Sequence, residues 1–290
     1  MTRRQQFSRT PLTFGMFSDN YSTLSNVLRI TRKVTGMDEN TRWQKLASEF
    51  LGTAFLVFVG VGSVPALLLV NEANGSSFSG SDLGIISLAF ASIVIVTVYV
   101  FGYISGNHIN PAVTFGLAAT DKFPWSEVPS YVAAQVAGAV AGAFTIVGVL
   151  GTAASDVGLG VASYGDSIPW YQAFFAEFIG TFLLVFAVFG VIYRKAAPGW
   201  AGLAIGMVVF AAIIPVAPTT GASINPARTT GPMIVQQIMG GDISWSQWPV
   251  YVIAELAAGV AAAILFGFIA HTAQDGAKAS VPAAAVPAEV

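Results

Sequence analysis

Gly106-Asn107-His108-Ile109-Asn110-Pro111-Ala112 and Gly221-Ala222-Ser223-Ile224-Asn225-Pro226-Ala227 are one pattern met twice in a single chain. Each opens a short apolar stretch that starts at its proline, Pro111 or Pro226. Proline suits the first position of a helix, because the N–H it lacks would be unpaired there anyway. The asparagine before it is a natural helix cap. Both stretches run to about 10 residues, half of the ~20 that a helix needs to cross a bilayer. They read as half-helices that enter a membrane and stop, a backbone tolerated at depth only where protein or a water-filled cavity surrounds it.

The repeat extends outward from these boxes. Ser48-Glu49-Phe50-Leu51-Gly52-Thr53 resembles Ala176-Glu177-Phe178-Ile179-Gly180-Thr181, and Tyr131-Val132-Ala133-Ala134-Gln135 resembles Tyr251-Val252-Ile253-Ala254-Glu255. Gly116 and Gly231 fall at the same offset from the two boxes, and all landmarks keep the same order in both halves. Six long apolar segments surround them, at residues 46–70, 83–104, 128–150, 171–193, 199–217 and 248–270, each near membrane-spanning length. Each copy holds three full spans. Three is odd, so the second copy enters from the opposite face and the two repeats are inverted. The two half-helices then enter from opposite sides, and their starts can meet near the midplane, an arrangement known among proteins built on inverted repeats. The expected fold is an all-α membrane protein with six transmembrane helices and two re-entrant half-helices.

Composition agrees. Of 290 residues, 54% are hydrophobic and 10% charged, against about 25% charged in a soluble protein. Mean hydropathy is +0.69. A net charge of −2 gives no reason to expect nucleic acid as a partner. The absence of cysteine excludes disulfides, thiolate metal sites and cysteine nucleophiles, and His108 and His271 are the only histidines. This leaves no plausible catalytic pair, and neither a metal nor another cofactor is expected.

Residues 1–41 are polar and basic and form an N-terminal tail without the apolar core of a signal peptide. Within it, residues 24–30 read either as a short amphipathic helix or as part of a disordered tail. Residues 42–271 are expected to form one membrane domain, with repeats at about 42–150 and 171–271, and residues 272–290 an Ala/Pro-rich tail. Outside the spans, the N-terminal cations, Lys122, Arg194, Lys195 and Lys278 all fall on one side, facing Glu72, Asp82, Asp156, Asp166 and Asp242 on the other. The positive-inside rule then makes both termini cytoplasmic, with the cell membrane as the expected location.

The two Asn-Pro-Ala boxes inside matched inverted repeats, the second followed by Arg228, resemble the major intrinsic proteins, the aquaporins and aquaglyceroporins. The likeness covers about residues 42–271 and implies a passive channel for water or small uncharged solutes of the glycerol, urea, ammonia and hydrogen peroxide class. It also implies a homotetramer with one pore per subunit. Asn110, Pro111, Ala112, Asn225, Pro226 and Ala227 would form the pore centre. There, two half-helix N-termini, each worth roughly +0.5 charge, and two donor amides repel cations and turn a passing water so that an aligned proton wire is interrupted. The resemblance places Arg228 with Phe90, Ile213 and Ala222 at the outer constriction, and an unpaired cation in a membrane segment is a functional candidate in its own right. It makes Glu49 and Glu177 acceptors for the loop backbone. His108 should line the cytoplasmic vestibule, with a pH gate as the other reading.

The chain departs from both common patterns of that family. Strict water channels carry histidine where this chain has Ile213. Glycerol channels usually carry Trp and Phe where it has Phe90 and Ala222, and Asp where it has Thr229. Glu255, the repeat mate of Gln135, is also unusual, and reads as a further loop brace, as an interfacial carboxylate or as a gating element. The alternative function, an ion-coupled secondary transporter, shares inverted repeats and broken helices but needs ion-coordinating groups at the midplane. The pairs Gly138/Gly142 and Gly202/Gly206 have the spacing that lets membrane helices cross closely.

Overall fold

The computed structural model describes residues 40–193 and 199–270. Residues 1–39 of the expected N-terminal tail, the expected C-terminal tail, Arg194, Lys195 and His271 lie outside the described residues. In chain order the helices are α1 (Arg42–Phe55), a π-helical turn (Leu56–Val61), α2 (Ser63–Asn74), α3 (Gly80–Ser105), α4 (Pro111–Ala119), α5 (Val128–Leu150), α6 (Ala153–Asp156), α7 (Trp170–Tyr193), α8 (Ala201–Thr220), α9 (Pro226–Ile238) and α10 (Trp248–Ile269). The fold is the expected all-helical one, and the described residues include six helical stretches long and apolar enough to cross a membrane.

The boundaries differ in instructive ways. The first span is not a single α-helix over 46–70 but runs Arg42–Asn74 through the π turn. The fifth span passes Pro215 and Pro218 and ends at Thr220 instead of near 217. Prolines are tolerated in membrane helices because neighbouring groups and local adjustments satisfy the carbonyls they free. The half-helices α4 and α9 have 9 and 13 residues.

Leu88, Val96, Ile253, Ile264 and Phe268 are exposed apolar side chains on the spans, as expected where lipid is the solvent and no hydrophobic force draws them inward. Exposed Trp43, Trp125, Trp170, Trp200 and Trp245 lie at or beside span ends, where amphipathic rings favour the membrane–water interface.

The repeats interlock. α4 of the first copy packs on α10 of the second, and α9 of the second packs on α5 of the first. The glycines at matched offsets sit at these crossings. A Cβ on Gly116 would lie 2.8 Å from the Gly259 carbonyl oxygen, and one on Gly231 would lie 2.5 Å from Ala139 Cβ. The Gly138/Gly142 and Gly202/Gly206 pairs also mark close crossings. Their Cβ positions fall 2.2 Å from Phe50 O, 2.5 Å from Ala54 O, 2.9 Å from the Tyr99 ring and 2.6 Å from Ala91 O, respectively.

Candidate functional site

The third and eighth helices end at glycines in the left-handed region, Gly106 (φ 90°) and Gly221 (φ 76°). The loops that follow hold non-glycine residues there as well: Asn107 and Ile109 at 50° and 42°, Ala222 and Ile224 at 46° and 47°. A β-branched residue at positive φ is a true outlier, and such strain persists only where surroundings over-determine it. Here a buried carboxylate does so in each half. Glu49 accepts from His108 N (2.9 Å), Ile109 N (2.7 Å) and Ser105 Oγ (2.7 Å). Glu177 accepts from Ser223 N (3.0 Å), Ile224 N (2.7 Å) and Thr220 Oγ1 (2.5 Å). A tyrosine steadies each loop from behind, Tyr131 Oη donating to Ser105 O at 3.0 Å and Tyr251 Oη to Thr220 O at 2.8 Å.

These braces set the asparagines. Asn110 Oδ1 accepts from Ala112 N (2.8 Å), and Asn225 Oδ1 from Ala227 N (3.0 Å) and Arg228 N (3.3 Å), so both cap their half-helices. Their amides cross over: Asn110 Nδ2 donates to Ile224 O and Asn225 Nδ2 to Ile109 O, both at 2.8 Å. An NH2 group has two hydrogens. One is committed to the opposite loop, and the other remains for the cavity that both residues line. Pro111, Ala112, Pro226 and Ala227 are buried behind the asparagines in the first turns of the half-helices and do not line that cavity.

The cavity holds about 390 Å³. α3 lines it at Phe90, Val94, Val98 and Gly102, and α8 lines it at Ala201, Ile205, Val209 and Ile213. These positions recur every four residues along one helix face, so the cavity runs parallel to the spans; 12 residues of α-helix rise roughly 18 Å. The wall is mostly apolar, with polar groups concentrated at the two loops, at Lys122 toward one end and at Arg228 toward the other. Phe90, Ile213, Ala222 and Arg228 all line it, and the Arg228 Cζ lies 5.7 Å from the Phe90 ring centroid. Nε and Nη1 of Arg228 are buried without a hydrogen-bond partner among the described residues. His108 lines the opposite part, its Nδ1 3.1 Å from Thr114 Oγ1 and its ring against Phe123 and Tyr131.

Symmetry breaks at the pair Gln135 and Glu255. Gln135 Nε2 donates to Glu49 Oε2 (2.8 Å) and Thr114 Oγ1 (3.1 Å). Its mate Glu255 has no N–H to give, and accepts instead from Asn225 N (3.0 Å) and Thr229 Oγ1 (3.3 Å). Of the three readings of Glu255, this geometry is that of a loop brace. Thr229 also meets Ser223 Oγ in a short hydrogen bond. Thr114, Ser105 and Thr220 were not singled out from the sequence, and Thr229 and Gln135 were given no bonding role there. Their signal was there, since each threonine follows its box asparagine at the same offset and each hydroxyl precedes its loop glycine.

The family described as Major intrinsic protein matches residues 36–266. Aquaporin AqpM of Methanothermobacter marburgensis is 38% identical over 239 residues, covering 78% of this chain and 97% of that protein. Nodulin-26 of Glycine max is 38% identical over 232 residues, 79% of each chain. Among solved structures, the aquaglyceroporin from Plasmodium falciparum matches with a TM-score of 0.65 at 27% identity, over 78% of this chain and 94% of that one.

Proposed function

The chain belongs to the major intrinsic protein family and is a passive membrane channel for water and small uncharged solutes, and on that premise we propose which of its residues sort the traffic. Asn110 and Asn225 form the pore centre, with Pro111, Ala112, Pro226 and Ala227 shaping the helix starts behind them. Phe90, Ile213, Ala222 and Arg228 form the selectivity filter, Glu49 and Glu177 brace the loops, and His108 lines the cytoplasmic vestibule. The observation that carries this reading is the reciprocal exchange at the centre, Asn110 to the Ile224 carbonyl and Asn225 to the Ile109 carbonyl, beside a cavity that both asparagines line. Both half-helix N-termini and Arg228 put positive charge along that cavity, so protons and alkali cations are excluded.

The filter favours compact neutral solutes slightly larger than water. Arg228 is its main fixed donor, since Phe90, Ile213 and Ala222 are apolar. Ala222 leaves room beside the guanidinium, while the apolar ring replaces few of a solute's lost hydrogen bonds. Width prevails for urea, ammonia and hydrogen peroxide, and the two effects come closer to balance for glycerol. The termini are cytoplasmic, the site of action is the cell membrane, and the working unit is a homotetramer. Stopped-flow shrinkage of proteoliposomes tests the reading: water flux together with urea or peroxide flux, indifferent to ion gradients and without cation current, is expected. A cation conductance that scales with osmotic permeability, or exclusion of every solute but water, would overturn it.

A further inference from the structure

The first span contains a turn that its repeat mate lacks. At Leu56–Val61 the helix widens to π geometry and Gly62 N bonds back to Val57 O at 3.1 Å, whereas α7 runs unbroken over Trp170–Tyr193. The backbone ladder is also incomplete just beyond it. Pro65 has no N–H to offer the Val61 carbonyl one turn back, and Ser63 Oγ takes the Gly60 carbonyl at 2.6 Å. Isolated π turns within α-helices occur often at functional sites.

Gly60, inside this turn, lies close against the Phe90 ring. A Cβ on Gly60 would lie 2.4, 2.6 and 2.8 Å from Cδ1, Cε1 and Cγ of that ring. The ring therefore has Gly60 directly behind it, and the cavity and the Arg228 guanidinium before it. Counted from the matched glutamates Glu49 and Glu177, Gly60 corresponds to Val188, whose own side chain lines the cavity. Leu56 and Leu184, at matched offsets, line the cavity in both halves, but at the next position along the span one half presents Val188 while the other has only Gly60, with the Phe90 ring against it. We infer that Gly60, held against Phe90 by the π turn, sets how far the Phe90 ring projects into the constriction and thereby which neutral solutes pass. Gly60 acts only through Phe90, as a positioning residue, and the inference rests on the reading of Phe90 as a filter residue.

The test compares Phe90→Leu, Gly60→Ala and the double variant of the full chain in proteoliposomes, reading the ratio of urea to water permeability. A purely structural role would lower both permeabilities alike and leave that ratio unmoved. The expected result is a raised ratio in Phe90→Leu, a ratio lowered several-fold in Gly60→Ala, and a double variant close to Phe90→Leu. If Phe90→Leu leaves the ratio unchanged, the filter reading fails and this inference falls with it. If Phe90→Leu shifts the ratio and Gly60→Ala does not, the filter reading stands and the inference is overturned. If Gly60→Ala does not fold, the double variant decides. Folding restored by trimming the ring supports the contact, and failure of the double variant as well shows that the glycine serves the turn alone and overturns it.

Discussion

Alanine at the two bracing glutamates should damage the protein unequally. Removing Glu177 strands the buried N–H groups of Ser223 and Ile224, while the Thr220 hydroxyl still has the Val216 carbonyl at 3.4 Å. At about 1–3 kcal/mol for each buried donor left unpaired, that is roughly 2–6 kcal/mol. Removing Glu49 strands the N–H groups of His108 and Ile109 and, in addition, the Ser105 hydroxyl, which has no other acceptor among the bonds it makes; Gln135 keeps Thr114 Oγ1. Three donors give roughly 3–9 kcal/mol on the same basis. Native stability is only about 5–15 kcal/mol, and the positive-φ loops lose the acceptor that holds their strain. Both variants should therefore show reduced yield of monodisperse protein in detergent, a lower thermal midpoint and lost water flux per folded channel, with Glu49→Ala the worse. Wild-type yield, midpoint and flux in either variant would show that the carboxylate is not a brace. A Glu177→Ala variant more damaged than Glu49→Ala would refute the reasoning from unpaired donors.

Glu255→Gln should be mild, because a glutamine carbonyl can still accept from Asn225 N and its amide can donate toward Glu177 as Gln135 does toward Glu49. A loss of yield or thermal midpoint matching that of Glu177→Ala would contradict this. Ile213→His, which adds a donor and a ring to the constriction, should cut urea or peroxide flux more than water flux in stopped-flow traces. Arg228→Val should admit larger solutes and some protons, read as glycerol-driven swelling and as decay of a pH gradient across proteoliposomes. With no cysteine in the chain, mercuric ion at low micromolar concentration should leave water permeability unchanged, and block reversed by a thiol would contradict that.

The repeat, the six spans and the two half-helices were legible because Asn-Pro-Ala boxes and matched glutamates are discrete marks that survive without periodicity. The π turn at Leu56–Val61 was not. Inside lipid a span is apolar on nearly every side, so no polar stripe reveals a local change of helical phase. Gly60, Gly62, Ser63 and Pro65 were the only hints, and each is ordinary in a membrane helix. Glu255 was recognised as odd, yet its partner could not be read from spacing. Asn225 lies on another element, and only the packing of α9 and α10 brings its N–H to the carboxylate. Phe90 and Ile213 carry no chemical mark at all. Resemblance put them forward, and their place every four residues along the cavity-lining faces of α3 and α8 appears only once the helices are assembled.

The crossing of the two halves has a consequence for how such a chain is made. The first half-helix rests on α10, which carries Gly259, and the Asn110 amide waits for the Ile224 carbonyl. During synthesis, then, Pro111–Ala119 cannot reach its final seat until the last span has been inserted, and an N-terminal half made alone would present an unfilled groove and an Asn110 amide without its Ile224 acceptor. The same incompleteness means that each half supplies what the other lacks. Two identical three-span chains, inserted in opposite orientations, would supply each other with the missing half-helix, so that gene fusion had only to join partners already exchanging these contacts.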